Sequence, residues 1–455
     1  MQLAAVYTDP WVLSATALFV LVHLLLRHFR SGGRRLPPGP RGFPILGALP
    51  LVGPTPHTGL AALARKHGPV MYLKMGTCGV VVASSPAAAR QFLKVQDARF
   101  ADRPAVASAV DITYGFQTIA FGMQGPRWKQ MRKLSTVHLL GAQAMAEWAS
   151  VRRDEAGRLL RDVVGASVAG ELVSVPDVLV RAFANIVGQI TLSKRLFDTQ
   201  GDEANIYKEM ITLVQSGSGL FNISDFVLAL SRFDLQGVQA KLRKIHLRFD
   251  DMITSLLDEH SATAKQRQGR PDFIDKLRAS MADSKDSNDA DTISEVNVKG
   301  FVFDMFTAGT DTASIIAEWA MAEMIKNPSI MARAQEEMDR VVGRGRRLEE
   351  SDVAGLPYLQ ARFPSGPTAN VDVLGNHFEL IPFGAGRRIC VGKLAGMVFV
   401  QYFLLPGKEL INGLVFLNDD SWCVKMAEYI CVGGVANVYV EYHGEEDSND
   451  NSSGS

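Results

Sequence analysis

At 455 residues the chain has room for one large domain or two to three average ones, and apolar residues at 47% against charged residues at 21% are ordinary globular proportions. Lysines plus arginines number 48, as do aspartates plus glutamates, so the net charge is zero and nothing points to nucleic acid. The cysteines, Cys78, Cys390, Cys423 and Cys431, form no CxxC pair, which argues against a zinc site or a disulfide framework and for free thiols in a reducing compartment.

In chain order, the first element is an apolar run, Trp11–Leu26, about 24 Å long as a helix and a little short of a bilayer span. Arg27 and Arg30 can snorkel and extend its reach. Basic residues follow the run and only Asp9 precedes it, so the remainder of the chain is expected in the cytosol. A cleaved signal peptide is the alternative, but the basic start and small-residue cleavage site are missing. The prolines of Leu36–Gly47 then read as a stiff connector. VMYLKM and GVVVAS, on either side of Cys78, predict two strands. Helical spacing predicts helices over Ala146–Val164 and Val238–His260. Met281–Thr292 is polar and expected as a surface loop, and the last eleven residues lack any apolar side chain and are expected to be disordered.

Val298–Ile325 is long, apolar and free of proline, and reads as a buried helix. Its centre is A-G-T-D-T, Ala308–Thr312. Ala308 and Thr312 share a face, and the Thr312 hydroxyl can bond the Ala308 carbonyl and loosen the helix there. Gly309 leaves space for a flat group, and Asp311 with Thr312 could guide protons. A threonine tucked into its own helix would account for Thr312 alone. Earlier in the chain Trp128 and Arg132 lie four apart on one helical face, a pair that also arises by chance.

The loop Pro382–Gly392 packs three glycines, two arginines and one cysteine into eleven residues. A thiolate is a soft ligand suited to iron, and it donates strongly to a haem iron. Gly386 and Gly392 would let backbone N–H groups approach the Cys390 sulfur, with the helix KLAGMVFVQYFL following. Arg388 could pair with a haem propionate and Phe383 could shield the sulfur. A phosphate loop fails on spacing, with Leu394 where a hydroxyl residue should stand. A lone cysteine is more often structural.

The joint pattern Phe383, Gly386, Arg388, Cys390, Gly392 matches F-x-x-G-x-R-x-C-x-G and resembles the haem-binding loop of the cytochrome P-450 monooxygenases. A-G-T-D-T resembles the oxygen-activation motif of the same superfamily, with Ala313 where Thr or Ser is usual. The W-x-x-x-R pair Trp128/Arg132, the FADRP of Phe100–Pro104 and the proline-rich hinge also resemble the superfamily's plant members. Longer stretches, among them GLFNISDF and GNHFELIPFGAGRRIC, look like plant flavonoid 3',5'-hydroxylases, with the 3'-hydroxylases next.

The resemblance implies a mainly α fold with small β-sheets. It implies haem b (iron protoporphyrin IX) between the Thr312 helix and the Cys390 loop. Cys390 would be the metal ligand, and Trp128, Arg132, Ala308, Gly309, Phe383, Gly386, Arg388 and Gly392 would bind the cofactor. Asp311 and Thr312 would be catalytic. Electrons would come from NADPH through a membrane-bound cytochrome reductase, with O2 and a flavonoid-type substrate, on the cytosolic side of the endoplasmic reticulum membrane. Residues in Asp111–Ala120 and Gln215–Phe221 would shape the substrate pocket. The organisation expected is a membrane anchor over 1–30, a hinge over 31–47, a monooxygenase domain over 48–404 and a divergent tail over 405–455.

Two features depart from that family. Only 78 residues separate Thr312 from Cys390, and the family places several dozen more there, with an E-x-x-R pair beneath the haem loop. Glu337 and Arg340 have that spacing but precede LPYLQ and sit on the wrong helix. The P-450 fold is therefore expected to be incomplete near residue 361. After about Leu404 the chain no longer resembles the family, and Pro406 would end its helix early. Three readings follow: a monooxygenase of flavonoids, impaired as encoded; a membrane-anchored protein that lacks catalysis; or a monooxygenase of other phenylpropanoids.

If Trp11–Leu26 is an uncleaved anchor, the full chain should stay with membranes through alkaline carbonate extraction, and a chain without residues 1–30 should be released in greater part. Equal release of both would refute the anchor.

Overall fold

The computed structural model describes residues 36–197, 221–283, 292–346, 348–358 and 375–396 except 268, together with Trp11, Ser14, Leu18, Phe19 and Val22. Those five single residues are helical and exposed, Trp11 at 83% and Phe19 at 72%. The remainder of the expected anchor, and all of the tail after Gly396, lie outside the described residues. Among the described residues one helix is long and apolar enough to cross a membrane, Val175–Leu192, and two thirds of it is buried within the protein.

The described residues form two compact units. The first comprises residues 36–92 and 222–235. After helix α1 (Pro56–His67), strands β1 (Val70–Met75) and β2 (Cys78–Ala83) pair antiparallel, with Val70 opposite Ala83 and Met75 opposite Cys78. Both strands match the sequence expectation. Met71, Leu73 and Val82 are buried with Ala48, so alternate side chains of the short ribbon make a small core. The proline-rich segment does more than connect. The Pro38 carbonyl accepts the Tyr72 N–H at 2.8 Å, and the Ala48 N–H donates to Lys74 O at 2.6 Å. A Cβ on Gly39 would lie 1.8 Å from Tyr72 O, so only glycine permits this approach. The chain returns to the same unit at Phe226, whose carbonyl accepts the Thr77 N–H at 2.7 Å.

The second unit, the described residues within 93–221 and 236–396, is mainly helical. Its elements are α2 (Pro126–Ser135), α3 (Ala149–Ala169), α4 (Val175–Leu192), α5 (Val238–Ala262), α6 (Phe273–Asp283), α7 (Glu295–Lys326) and α8 (Pro328–Val341). Helix α3 starts later than periodicity predicts, because the chain turns at Trp148 between it and the short helix Ala142–Glu147. Met281–Asp283, expected as loop, instead closes α6. The apolar face of α6 continues through that segment, and Met281 packs on the main core.

Helix α7 is the axis of the unit, 32 residues long and opened by a capping box of Ser294 and Asn297. It packs most extensively on α4. Aromatic pairs hold its flanks: Phe301 stacks on Phe273 with centroids 4.3 Å apart, and Phe303 meets Phe249 edge-on at 5.1 Å. Several polar groups inside this core are paired. Asn185 Oδ1 accepts the N–H groups of Leu196 and Phe197 at 2.9 and 2.8 Å. His260 and Asp272, both buried, form one network with the partly buried Asp275 and Arg267, in which Arg267 donates to Asp275 at 2.8 Å. The guanidinium already supplies positive charge at that cluster, which disfavours a metal ion.

Arg152 is buried, and its guanidinium donates to both oxygens of Glu350 at 2.6 and 2.7 Å and to Met145 O at 2.6 Å. Glu350→Ala should therefore leave a buried charge unbalanced and cost toward the lower end of ~3–5 kcal/mol, since Glu350 is partly exposed. Chemical unfolding of the detergent-solubilised protein measures it; a loss under about 0.5 kcal/mol, typical of a neutral surface change, would contradict it.

Candidate functional site

The site is assembled in the helical unit from the Cys390 loop, α2, the turn Thr118–Gly122 and the middle of α7. In the loop, the Cys390 N–H donates to Phe383 O at 2.9 Å and Ile389 N–H to Gly386 O at 3.1 Å, closing the chain on itself ahead of the sulfur. Gly386 has a φ of 63°, and a Cβ there would lie 1.7 Å from Leu93 O. Glycine is thus demanded by backbone conformation and by space together. Arg387 ties the same loop to Asp97 at 3.0 Å.

Cys390 is exposed at the end of the loop. The protein packed around the loop pushes its thiol up, while the Gly392 N–H, Arg132 and Lys393 pull it down. A helix begins at Lys393, with Gly396 N–H bonded to Gly392 O at 2.8 Å, so its positive end lies beside the cysteine. The position of Gly396 places Phe383 against this first turn. Phe383, Gly386, Cys390 and Gly392 therefore come together as expected.

Arg388 and Arg132 converge on Trp128. Their guanidinium carbons lie 4.1 and 5.1 Å from the Trp128 ring, on which both make cation–π contacts. Arg132 donates to Ile389 O at 2.6 Å, which binds α2 to the residue preceding Cys390. Arg388 donates to Ala101 O and Gly122 O, each at 2.5 Å, and Arg103 donates to Ala120 O at 3.2 Å. The indole N–H of Trp128 donates to Ile119 O at 3.0 Å. Arg103 belongs to FADRP and was not singled out as a site residue; its signal was an arginine in a short motif without a stated task.

Charge is unbalanced at this cluster. Among the described residues no carboxylate lies within ion-pair distance of Arg103, Arg132 or Arg388, and their donors reach backbone carbonyls instead. Burial, then repulsion from Arg103 and Arg132, pulls Arg388 down to about 10. Burial also lowers Arg132 and Arg103. Such crowding calls for an anion, and the two carboxylates of a haem fit that need.

Helix α7 is tied to the same turn through Asp304, whose carboxylate accepts the N–H groups of Ile119 and Ala120. It is buried on most sides, yet Ala308, Thr312 and Ile316 are exposed at successive fourth positions. This open stripe in a buried helix leaves room for a large group. The Thr312 hydroxyl donates to Ala308 O at 2.6 Å, as its spacing predicts. Asp311 is buried, one turn from Ser314, whose hydroxyl donates to Asp311 O at 2.9 Å. The Thr310 hydroxyl is buried without a partner. Gly309 has a second role: a Cβ there would press on Val187 at 3.2 Å, so its small size also lets α4 and α7 approach.

Of the two expected pocket-lining segments, 215–220 lie outside the described residues. Asp111–Ala120 is described, and Tyr114 and Phe116 there hold φ of 53° and 63°, conformations costly for non-glycine residues. Tyr114 donates to Asp250 at 2.9 Å, and Lys299 donates to the same carboxylate at 2.9 Å. Sequence reading did not find this link between the segment, α5 and α7.

An exposed thiol beside a helix start, an arginine cluster without a carboxylate partner and an open stripe on a buried helix are features that a haem-thiolate site would use. The sequence profile of the cytochrome P450 family matches residues 37–363, and the chain belongs to that family. It is 40% identical to a flavonoid 3',5'-hydroxylase of Solanum melongena over 457 aligned positions, covering 86% of this chain and 88% of the relative. A flavonoid 3',5'-hydroxylase 2 of Petunia hybrida is 42% identical over 453 positions, and a flavonoid 3'-monooxygenase of Arabidopsis thaliana 37% over 454, both at the same coverages. Since 86% of 455 residues is about 391, some 66 of the 457 positions aligned with the Solanum protein have no residue of this chain opposite them.

Gly386→Ala should reduce the absorption band of the reduced, carbon monoxide-treated protein by at least about tenfold, because the loop must leave Leu93. Gly384→Ala meets no atom within 4 Å and carries only the left-handed backbone cost, ~1–2 kcal/mol. Similar bands in both variants would show that the close approach to Leu93 does not hold the loop.

Proposed function

We propose that this chain derives from a monooxygenase of the flavonoid B ring and that, as encoded, it turns over little or no substrate. The substrate class rests on the 37–42% identity to relatives named flavonoid 3',5'-hydroxylase and flavonoid 3'-monooxygenase over most of their length. The reaction inserts one oxygen atom of O2 into an aromatic C–H bond and releases the other as water. Two electrons, passed from NADPH by a membrane-bound cytochrome reductase, and two protons complete the balance.

Haem, the cofactor of the family, supplies the iron at which O2 is reduced. Around it the chain's own residues divide the work. Cys390 is the thiolate ligand, and the Gly392 N–H and the helix start at Lys393 stabilise its negative charge. Arg132 and Arg388, stacked on Trp128, hold the haem carboxylates, and Arg103 adds a third positive charge. Phe383 and Gly386 shape the loop. Thr312 and Asp311 pass protons from the protein side of α7, and Ala308 and Gly309 keep that face low. The single observation that carries the site assignment is the arginine cluster, whose crowding a bound anion would relieve. The body is placed on the cytosolic face of the endoplasmic reticulum membrane, held by Trp11–Leu26.

Reduced activity follows from what the relatives have and this chain lacks. The roughly 66 unmatched positions support a segment missing after Gln360, near where the family match ends at residue 363. The E-x-x-R pair expected there would brace the haem loop. A site held ~1 Å too loosely can lose ~100-fold in rate.

Two experiments test this. Cys390→Ala should abolish the red-shifted carbon monoxide band of a thiolate-bound haem, while Cys78→Ala should keep it; equal spectra would refute the ligand. In membranes with a plant reductase and NADPH, fed naringenin or dihydrokaempferol, B-ring hydroxylated product should come only from a chain whose region after Gln360 and tail are replaced by those of an intact flavonoid hydroxylase. Comparable turnover by the chain as encoded would show that the missing segment is dispensable.

A further inference from the structure

Asp304 lies in α7, two turns before Thr312, and is buried to 6% exposure. One of its oxygens accepts the N–H of Ile119 at 2.5 Å and the N–H of Ala120 at 3.3 Å. The Thr118 side chain is a third partner. No cationic side chain is among the groups that act on it, and burial pushes its carboxyl up to about 7 against the pull of these hydrogen bonds. A buried acid without a cation is expensive, and an apolar residue at this point of an apolar helix would cost less. The place it occupies indicates what the expense serves.

The turn that Asp304 grips by its N–H groups is gripped on the other side by its carbonyls. Ile119 O accepts the Trp128 indole N–H at 3.0 Å and Arg388 at 3.5 Å. Ala120 O accepts Arg103 at 3.2 Å, and Gly122 O accepts Arg388 at 2.5 Å. Five residues of backbone thus stand between one buried carboxylate on α7 and the groups that crowd around Trp128. Removing the carboxylate leaves two N–H groups unbonded and frees the turn to shift, and the arginines shift with it.

We propose that Asp304 is a positioning residue: through the N–H groups of Ile119 and Ala120 it fixes the Thr118–Gly122 turn, and the turn aims Arg103, Arg388 and Trp128 at the carboxylates of the bound haem. This rests on the haem reading above. Asp304 touches neither cofactor nor substrate in this role. It acts at a distance, with the polypeptide backbone as the link.

The test compares the full-length chain with Asp304→Ala, which removes the acceptor, and Asp304→Asn, which keeps one. Two readouts are taken on protein freed of haem: amide hydrogen exchange of a peptide spanning 117–123, and affinity for haemin against haemin dimethyl ester, whose carboxylates are blocked. The unaltered chain should prefer haemin by about tenfold or more, the effect of one charged hydrogen bond or better. Asp304→Ala should speed exchange at Ile119 and Ala120 by about tenfold and bring the preference close to one. Asp304→Asn should keep both values within about threefold. Should Asp304→Ala fail to accumulate, Asp304→Ser, whose hydroxyl is too short to reach either N–H, gives the same two readouts.

Equal weakening of both haems in Asp304→Ala, with the preference intact, would reduce Asp304 to general support and overturn the proposal. So would unchanged exchange at Ile119 and Ala120, or loss of the preference in Asp304→Asn. If the unaltered chain shows no preference between the two haems, the haem-carboxylate reading fails, and Asp304's part in aiming the arginines falls with it. Exchange then still decides separately whether Asp304 holds the turn.

Discussion

Positive charge held against backbone carbonyls is the constraint on which the site depends. Arg103, Arg132 and Arg388 repel one another, and Arg388 loses part of its proton affinity to burial and to its two neighbours. What keeps them together is a set of carbonyl acceptors at Ala101, Ile119, Ala120, Gly122 and Ile389. Carbonyls offer partial charge without cancelling the cations, so the cluster remains able to take an anion. A carboxylate side chain in the same place would neutralise it and close the site.

Geometry carries that arrangement outward. Ile389 O is held by Arg132 of α2, and the loop that bears Cys390 is pinned again where Gly386 meets Leu93. The sulfur is therefore positioned by two attachments remote from it in sequence. Helix α7 contributes differently: its packing on α4 and the aromatic contacts of Phe301 and Phe303 make it rigid, and the rigidity lets one exposed stripe remain open. Close packing elsewhere on the helix is what makes the opening informative.

A small number of residues make the candidate site legible in the sequence. Cys390, Gly386, Arg388 and Phe383 sit in one short loop, and their spacing reports a local backbone structure. Thr312 and Ala308 are four apart on a helix, and their hydrogen bond follows from helical geometry alone. Trp128 and Arg132 were legible as a pair, though not the sharing of the Trp128 ring between two arginines. Arg103 and Asp304 were overlooked because neither has its partners nearby in sequence. Asp304 meets Ile119 from 185 positions away, and the only local sign was an acid within an apolar helix. Met281–Asp283 differs from the loop expected there because Met281 still reaches the core and carries the helix on, although most of the residues that follow are polar.

The amino-acid sequence by itself determined the family, the helical character of the chain, the two paired strands and the motifs for which the ligand and proton-handling roles are proposed. These depend on short-range spacing: 3.6 residues per helical turn, alternation in a strand, and glycines where the backbone must turn. Tertiary structure alone decided which carbonyls face the arginines, that Gly309 also serves the contact of α4 with α7, and that the proline-rich segment lies along β1. Those outcomes arise from groups brought together across many tens of residues. No spacing rule encodes such meetings, because they depend on how whole helices pack and on which buried polar groups are left needing a partner.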